Sequence, residues 1–283
     1  MSNKTFLAGG LCLRLVCGEP IGDGAFFPAF LTGDDCAPDL TVEIRRGPLP
    51  RAEGAELQRT NHRRRVLAGD RVYDYTYFPD SAKLEHVPYA CAVRQGARIT
   101  LFIDYDAPLW DTMIFDALRL PDDYLERSGA VVHASFIGVG GDGILFAGQK
   151  QAGKSTQADL WQRHRNALVI NGDRAVVRAA QDGFLACGVP FCGSSGICRN
   201  ETRPLRAIVF PEKGTQNEVT PLPAFESFKR IIGCLSYTET DPQVRDNALG
   251  MAERIARGCL CLRLVCRPDA GAVDALSRAL GYG

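Results

Sequence analysis

The sequence lacks a charge excess, since its 283 residues carry 33 Lys plus Arg against 33 Asp plus Glu. A balanced chain does not draw its affinity from a global field, so neither nucleic acid nor a membrane surface is the expected partner. It also lacks an apolar run of transmembrane length and a cationic-apolar leader, which makes a cytoplasmic protein the expectation. Eleven cysteines are present, but no Cys-x-x-Cys pair, the usual spelling of zinc and redox sites, is found. Most sit in apolar runs, among them Cys12, Cys17, Cys91, Cys261 and Cys266, where a thiol in a reducing compartment acts as a small hydrophobe. Cys259 and Cys261 are better explained as one face of a strand than as metal ligands. What is there, 46% hydrophobic and 23% charged, suits a globular chain of one large domain or two ordinary ones.

Residues 1–128 read as a β-rich domain. Strands are expected over 6–17, 41–46 and 66–78, with a hairpin of 90–93 and 98–104 around Gln95-Gly96. The stretch 48–65 is polar and basic, densest at Asn61-His62-Arg63-Arg64-Arg65, and reads as a solvated loop or as a phosphate- or partner-binding patch. Residues 111–127 have helical spacing broken at Pro121. Residues 129–283 read as strands and helices, with one hairpin around 140–143 whose second arm enters the most informative stretch and another around Gln181-Asp182-Gly183. Strands are expected at 131–139, 143–147, 167–171, 175–180, 184–189, 206–210 and 258–266. Helices are expected at 155–165, 224–235, 243–256 and 270–280, and 192–204 reads as loop. Leu-Cys-Leu-Arg-Leu-Val-Cys occurs at 11–17 and again at 260–266, a coincidence of strand patterns rather than a repeat.

The most informative stretch is Gly148-Gln149-Lys150-Gln151-Ala152-Gly153-Lys154-Ser155, which fits G-x-x-x-x-G-K-[ST] at each fixed position. The two glycines let backbone N–H groups converge on phosphate oxygens. Lys154 adds a charge for the outer phosphates, and the Ser155 hydroxyl is suited to Mg²⁺. An apolar strand before it and a helix from Ser155 and Thr156 onward aim a helix N-terminus at the same place. ATP and Mg²⁺ are the expected ligands.

Transfer chemistry needs a carboxylate nearby. Asp173 follows the strand after the loop helix, and parallel neighbours would end on one edge, so it is the candidate metal ligand and base. A turn aspartate is the plainer reading. His133 is either a core histidine or a site residue. Arg199, Arg203 and Arg206 suit either a cationic cluster or a loop rim, and Ser194 and Ser195 either phosphate contacts or a turn.

With these residues placed, the C-terminal half resembles the HPr kinase-like ATP-dependent serine kinases, a group akin to the phosphoenolpyruvate carboxykinases. The resemblance covers roughly 130–270 and lies in His133, the phosphate loop, Asn171-Gly172-Asp173-Arg174 and Gly193-Ser194-Ser195-Gly196-Ile197. It is nearest to the kinases of ribosomally made peptides, such as lasso-peptide precursors. It implies an α/β (α+β) fold and transfer of the ATP γ-phosphoryl group to a serine or threonine of a peptide or protein. Lys154 and Ser155 would then serve phosphate and Mg²⁺, Asp173 would be the base, and His133 would lie close to the phosphates. The resemblance is compatible with a homo-oligomer. The chain departs from the family at Gly172, where HPr kinases have a first aspartate, and at Phe191-Cys192, where they have a glutamate; Glu201 is a candidate substitute. A metabolite such as free serine is the alternative acceptor, and an ATP-gated binding module the alternative without catalysis. A carboxykinase- or phosphatase-type reaction ranks last.

Overall fold

The computed structural model describes residues 2–33, 36–77, 87–106 and 108–282. Phe78, the expected end of a strand, lies outside them. Contacts divide the chain into two units. The first holds residues 1–7, 11–120 and 238–242; the second holds 8–10, 121–237 and 243–283.

The first unit contains β1 (Ser2–Ala8), β2 (Leu11–Cys17), β3 (Ile21–Gly22), β4 (Leu31–Thr32), β5 (Leu40–Arg46) and β6 (Ala55–Arg59). β7 (Arg63–Ala68), β8 (Arg71–Tyr77), β9 (Pro88–Gln95), β10 (Arg98–Ile103), β11 (Leu109–Trp110) and the helix α1 (Asp111–Leu118) follow. Among the described residues, nine strands form one sheet in the order β4-β1-β2-β5-β10-β9-β8-β7-β6. Its inner face carries Leu13, Leu15, Val42, Ile44, Leu101 and Ile103, all buried. Phe115 of α1 packs edge-on against Phe6 and Phe27, with ring centroids 5.1 and 4.7 Å away.

Three expectations change here. The strand at 6–17 is two strands, because Gly9 and Gly10 take φ of 58° and 83° and turn the chain. The basic loop at 48–65 contains β6 and the start of β7. Three of its arginines meet carboxylates: Arg63 meets Asp116 of α1 at 3.0 Å, Arg64 meets Glu56 of β6 at 2.9 Å and Arg65 meets Asp74 of β8 at 3.4 Å. The helical stretch breaks at Arg119, whose φ is 54°, and not at Pro121. Pro121 is instead the second residue of α2 (Leu120–Glu126), where a missing N–H removes no helix bond.

The second unit contains β12 (Gly129–Val139), β13 (Asp142–Ala147), α3 (Lys154–Arg165), β14 (Leu168–Asn171), β15 (Arg174–Ala180) and β16 (Gly183–Cys187). It continues with β17 (Thr202–Lys213), β18 (Glu218–Pro221), α4 (Ala224–Ile232), α5 (Pro242–Gly258), β19 (Cys261–Cys266) and α6 (Ala270–Leu280). Among the described residues, these strands form an eight-stranded mixed sheet. The architecture is α/β with mixed sheets. The long strands β12 and β17 each change partners along their length. β12 pairs first with β15, then with β13 and β14. β17 leaves β16 for β13 and β19.

β13 is buried on both faces, which explains its unbroken apolar run. Leu145 and Ala147 join a cluster with Ile231 of α4 and Ala248, Met251 and Ile255 of α5. Ile144 and Phe146 join another with Trp161 of α3 and Leu276 of α6. The expected strand at 206–210 extends to Lys213. Ile208 donates to Leu260 O, so the backbone N of Pro211 points the other way, where pairing with β13 has ended at Val209. A proline there removes no ladder bond.

Candidate active site

β12 organises the site. Ala134 pairs with Ala147 of β13, and Phe136 pairs with Asn171 of β14. Both neighbours run antiparallel to β12, so they point the same way and release their chains beside Ala134 and His133. The expectation of adjacent parallel strands is therefore corrected: β12 separates the two, yet their ends share an edge.

From β13 the chain enters the phosphate loop. Gly148 and Gly153 have φ of 145° and 94°, and Gln151 adds a positive φ of 68°. Ala152 N donates to Gln149 O at 3.2 Å, and the first helical bond runs from Gln157 N to Gly153 O at 2.9 Å. Gly153 is the N-cap and offers no side-chain oxygen, so no side chain caps the first turn of α3. Uncapped N–H groups at a helix start are the donors that an anionic ligand needs. Lys154 Nζ donates to Gly148 O and Gln149 O, each at 3.0 Å, across the loop. Ser155 and Thr156 are exposed on the first turn. Gln149 and Lys150 are exposed as well. This donor set fits a nucleoside triphosphate with its Mg²⁺. Buried Gln157, Ala158, Leu160 and Trp161 anchor α3 to the sheet, and Asn166 in the left-handed conformation ends it.

From β14 the chain enters a turn built on Asn171, which is fully buried. Its Oδ1 accepts from the backbone N–H groups of Asp173 and Arg174, both at 2.9 Å. Its Nδ2 donates to Val189 O and Phe191 O, also at 2.9 Å. One amide thus ties the Asp173 turn to the segment that follows β16 and leads into the glycine-rich loop. Gly172 N donates to Ile197 O at 3.2 Å, and Ser135 Oγ donates to Gly172 O at 3.0 Å. A Cβ on Gly172 would sit 2.2 Å from Ser195 Oγ, and one on Gly193 would sit 2.8 Å from Asp173 Cγ. Ser195 fills the space an aspartate at 172 would need. Its hydroxyl donates to Cys192 O at 2.6 Å.

The Asp173 carboxylate is about one-third exposed and lies 3.3 Å from Arg174 Nε. Arg174 is opposite His133 across the β12–β15 pairing. Burial pushes the His133 imidazole below its ordinary pKa, and the charges of Arg174 and Lys154 push the same way against Asp173. Lys154, Asp173 and Arg174 are therefore each within electrostatic reach of His133. On the loop side, where β13 has ended, His133 N donates to Cys234 O at 2.8 Å. The Cys234 thiol is buried beside the Gly148 backbone, and burial raises its pKa.

Other candidates separate. Arg199 Nε donates to Val169 O at 3.2 Å, Arg203 meets Glu201 at 2.9 Å, and Arg206 donates to Leu280 O at 3.0 Å. The three arginines form no cluster: Arg203 and Arg206, three apart on β17, face opposite sides of the strand, and Arg199 lies before it. Glu201 is held by Arg203. Asn171, Arg174 and Cys234 had no assigned role in the sequence reading. The Asn-Gly-Asp spelling is the signal for Asn171, since asparagine side chains bond backbone two residues on. Nothing local marks Cys234, which arrives from more than 80 residues downstream of the loop.

Among the described residues no group of three or more His, Cys, Asp or Glu is placed to hold a metal ion, and no helix is long and apolar enough to cross a membrane. No protein-family profile matches the sequence, and no curated protein matches it. Among solved structures, the Hpr(Ser) kinase/phosphatase from Coxiella burnetii is similar at 10% identity, over 54% of this chain and 93% of that one, with a TM-score of 0.29. At that identity and score the likeness speaks neither for nor against an activity.

Proposed function

We propose that the second unit is a phosphotransferase that moves the γ-phosphoryl group of ATP to a serine or threonine hydroxyl of a peptide or protein. The observation that carries this reading is the meeting of the phosphate loop and the Asn171–Arg174 turn at one end of β12. Bound Mg²⁺, held by Ser155 and Asp173, would supply a divalent charge to offset the negative charge of the phosphates. The chain's own residues do the rest. Backbone donors of 148–156 hold the phosphates, and Lys154 exchanges its two loop carbonyls for phosphate oxygens. Ser155 Oγ and Asp173 offer oxygen ligands to the cation. Asp173 also takes the proton of the acceptor hydroxyl as its oxygen bonds phosphorus and the bond to the β–γ bridging oxygen breaks. The share of catalysis is mostly positioning and charge neutralisation.

The test is transfer from γ-labelled ATP with Mg²⁺, using wild type and Asp173→Asn, on ribosomal peptide precursors, serine-containing peptides and free serine. Label should move to a peptide with wild type and fall by about 10²–10⁴ in the variant, with MgATP binding retained. Full transfer by Asp173→Asn would remove the base from the reading, and transfer to free serine alone would make the acceptor a metabolite. A second reading, an ATP-gated binding module, is favoured by one observation: Ser195 leaves no room for a second carboxylate at Gly172. Tight MgATP binding with no transfer to any hydroxyl would select it.

A further inference from the structure

The nine-stranded sheet of the first unit has a second face, where a small cluster of Val66, Tyr75 and Cys91 is buried toward β7 and β8, and beside that cluster the face is concave. A cavity of about 500 Å³ there is lined by side chains from β2, β5, β10, β9 and β8. Cross-strand pairing lines up Thr41, Arg98 and Gln95, and Arg71 comes next on β8. A second row holds Val16, Glu43, Thr100 and Val93. The floor thus mixes valines, threonine hydroxyls, the Gln95 amide and the Glu43 carboxylate, with Arg98 near its middle and Arg71 at the β8 end, Gln95 between the two.

Those two guanidiniums are unlike their neighbours. Arg63, Arg64, Arg65 and Arg94 each meet a carboxylate within 3.4 Å. Arg71 and Arg98 meet none among the described residues, and both are exposed. The cavity's own carboxylate, Glu43, is taken up by Arg45 at 2.8 Å. Asp70 at the rim accepts from Gln95 at 3.4 Å. Among the described residues, then, the two guanidiniums of this cavity meet no carboxylate.

We propose that this face binds an acidic, extended peptide segment lying across the strands. Strands sit about 4.8 Å apart, so the five that line the cavity span about 19 Å, the length of about six extended residues. Arg98 and Arg71 are two strands apart, about 10 Å, which matches carboxylates about three residues apart on an extended chain. The sheet's backbone groups are used within the sheet, so recognition falls to side chains: guanidinium to carboxylate, Thr41 and Thr100 hydroxyls to peptide carbonyls, and the two valines to a small apolar side chain. This inference does not rest on phosphoryl transfer and is tested without nucleotide.

The experiment is fluorescence anisotropy on the full chain without ATP, using labelled short peptides that carry two glutamates or two lysines about three residues apart. The glutamate peptide should bind in a salt-sensitive way and the lysine peptide should not. Arg71→Ala with Arg98→Ala should weaken binding about threefold to tenfold. The pair Arg71→Glu and Arg98→Glu should abolish it, whereas Arg257→Glu on the second unit should leave it unchanged. Equal binding of both peptides, or glutamate binding indifferent to both double variants, overturns the proposal. Tighter binding of a single-stranded oligonucleotide of equal length also overturns it. Circular dichroism of the double variants separates lost binding from lost fold.

Discussion

Asp74 in the first unit and Asn171 in the second are both buried polar side chains within sheets, 1% and 0% exposed, and they are held in opposite ways. Asp74 is a charge between charges, with Arg65 Nε at 3.4 Å and Arg94 Nε at 3.3 Å, and neither of its oxygens accepts a hydrogen bond among the described residues. Asn171 is neutral and makes four hydrogen bonds, two given and two received, each at 2.9 Å. Coulomb attraction at that range is nearly indifferent to angle, so Asp74 ties β7 and β9 to β8 without aiming anything. The amide is directional. It fixes where the Asp173 turn and the approach to the glycine-rich loop lie relative to each other. The first arrangement serves stability and the second serves geometry.

The largest effect should come from breaking the charged hub. Asp74→Ala leaves two buried guanidiniums without their carboxylate, at a cost of about 3–5 kcal/mol in unfolding free energy. Phosphoryl transfer per folded molecule should stay near wild type. Denaturant midpoints and activity normalised to folded protein check both halves. A loss under about 1 kcal/mol, at the level of an exposed pair, would mean that water reaches Asp74 and that the hub is not buried in solution.

The neutral hub should respond differently. Asn171→Ala strands Val189 O and Phe191 O and frees the Asp173 turn, costing about 2–3 kcal/mol of stability. Transfer per folded molecule should fall at least about tenfold, because small misplacements of reacting groups cost heavily. Binding of MgATP should change little, since the phosphate loop leaves from β13 and not from β14. If stability falls and normalised activity holds, the contrast between the hubs collapses, and Asn171 becomes another structural tie.

How much of this was legible in the sequence follows the same division. The phosphate loop could be read because its function is written in consecutive residues, and the strand and helix flanking it follow from local pattern. Asp173 could be placed near the loop because β14 follows α3, and the tight turn at 140–143 makes β12 the hairpin partner of β13; that β14 pairs with β12 and not with β13 could not be read from local pattern. Long-range pairings were opaque. Nothing near Arg199 or Arg206 says that their partners are Val169 and Leu280. The heptapeptide shared by 11–17 and 260–266 makes the limit plain. In both places Leu and Cys alternate inward with half-exposed Arg and Val. Yet Leu11 opens β2 and is buried, while Leu260 lies just before β19 and is 40% exposed, because what surrounds the heptapeptide's first residue is supplied by distant chain.

A smaller effect tests the packing beside the neutral hub. Gly172→Ala would press a methyl group onto Ser195, costing about 1–2 kcal/mol as overpacking. Removing the obstacle in the same molecule with Ser195→Gly should restore most of that stability. The rescued pair should also recover transfer if Ser195 only holds the turn, as its bond to Cys192 O suggests. Recovery of stability without activity would instead give the Ser195 hydroxyl a part in the reaction.

The smallest effect concerns His133, beside the turn that Asn171 aims. Burial, then Arg174 and then Lys154, lower its pKa below the ordinary 6.5, and Asp173 opposes them. Above pH 6.5 the imidazole is neutral in both folded and unfolded chains, and it adds no pH dependence. As pH falls through 6.5 the unfolded chain takes up the proton first, so stability declines until the folded imidazole is protonated too. His133→Gln should remove that decline, which denaturant midpoints above and below pH 6.5 would reveal. The direction should then reverse with ligand. Phosphates held by Lys154 cancel a charge that lowers the pKa and add negative charge nearby, so MgATP should move the His133 titration upward. A downward shift or none, followed by NMR of the imidazole, would mean that the phosphates sit away from the end of β12, and the meeting of loop and turn would lose its role in the chemistry.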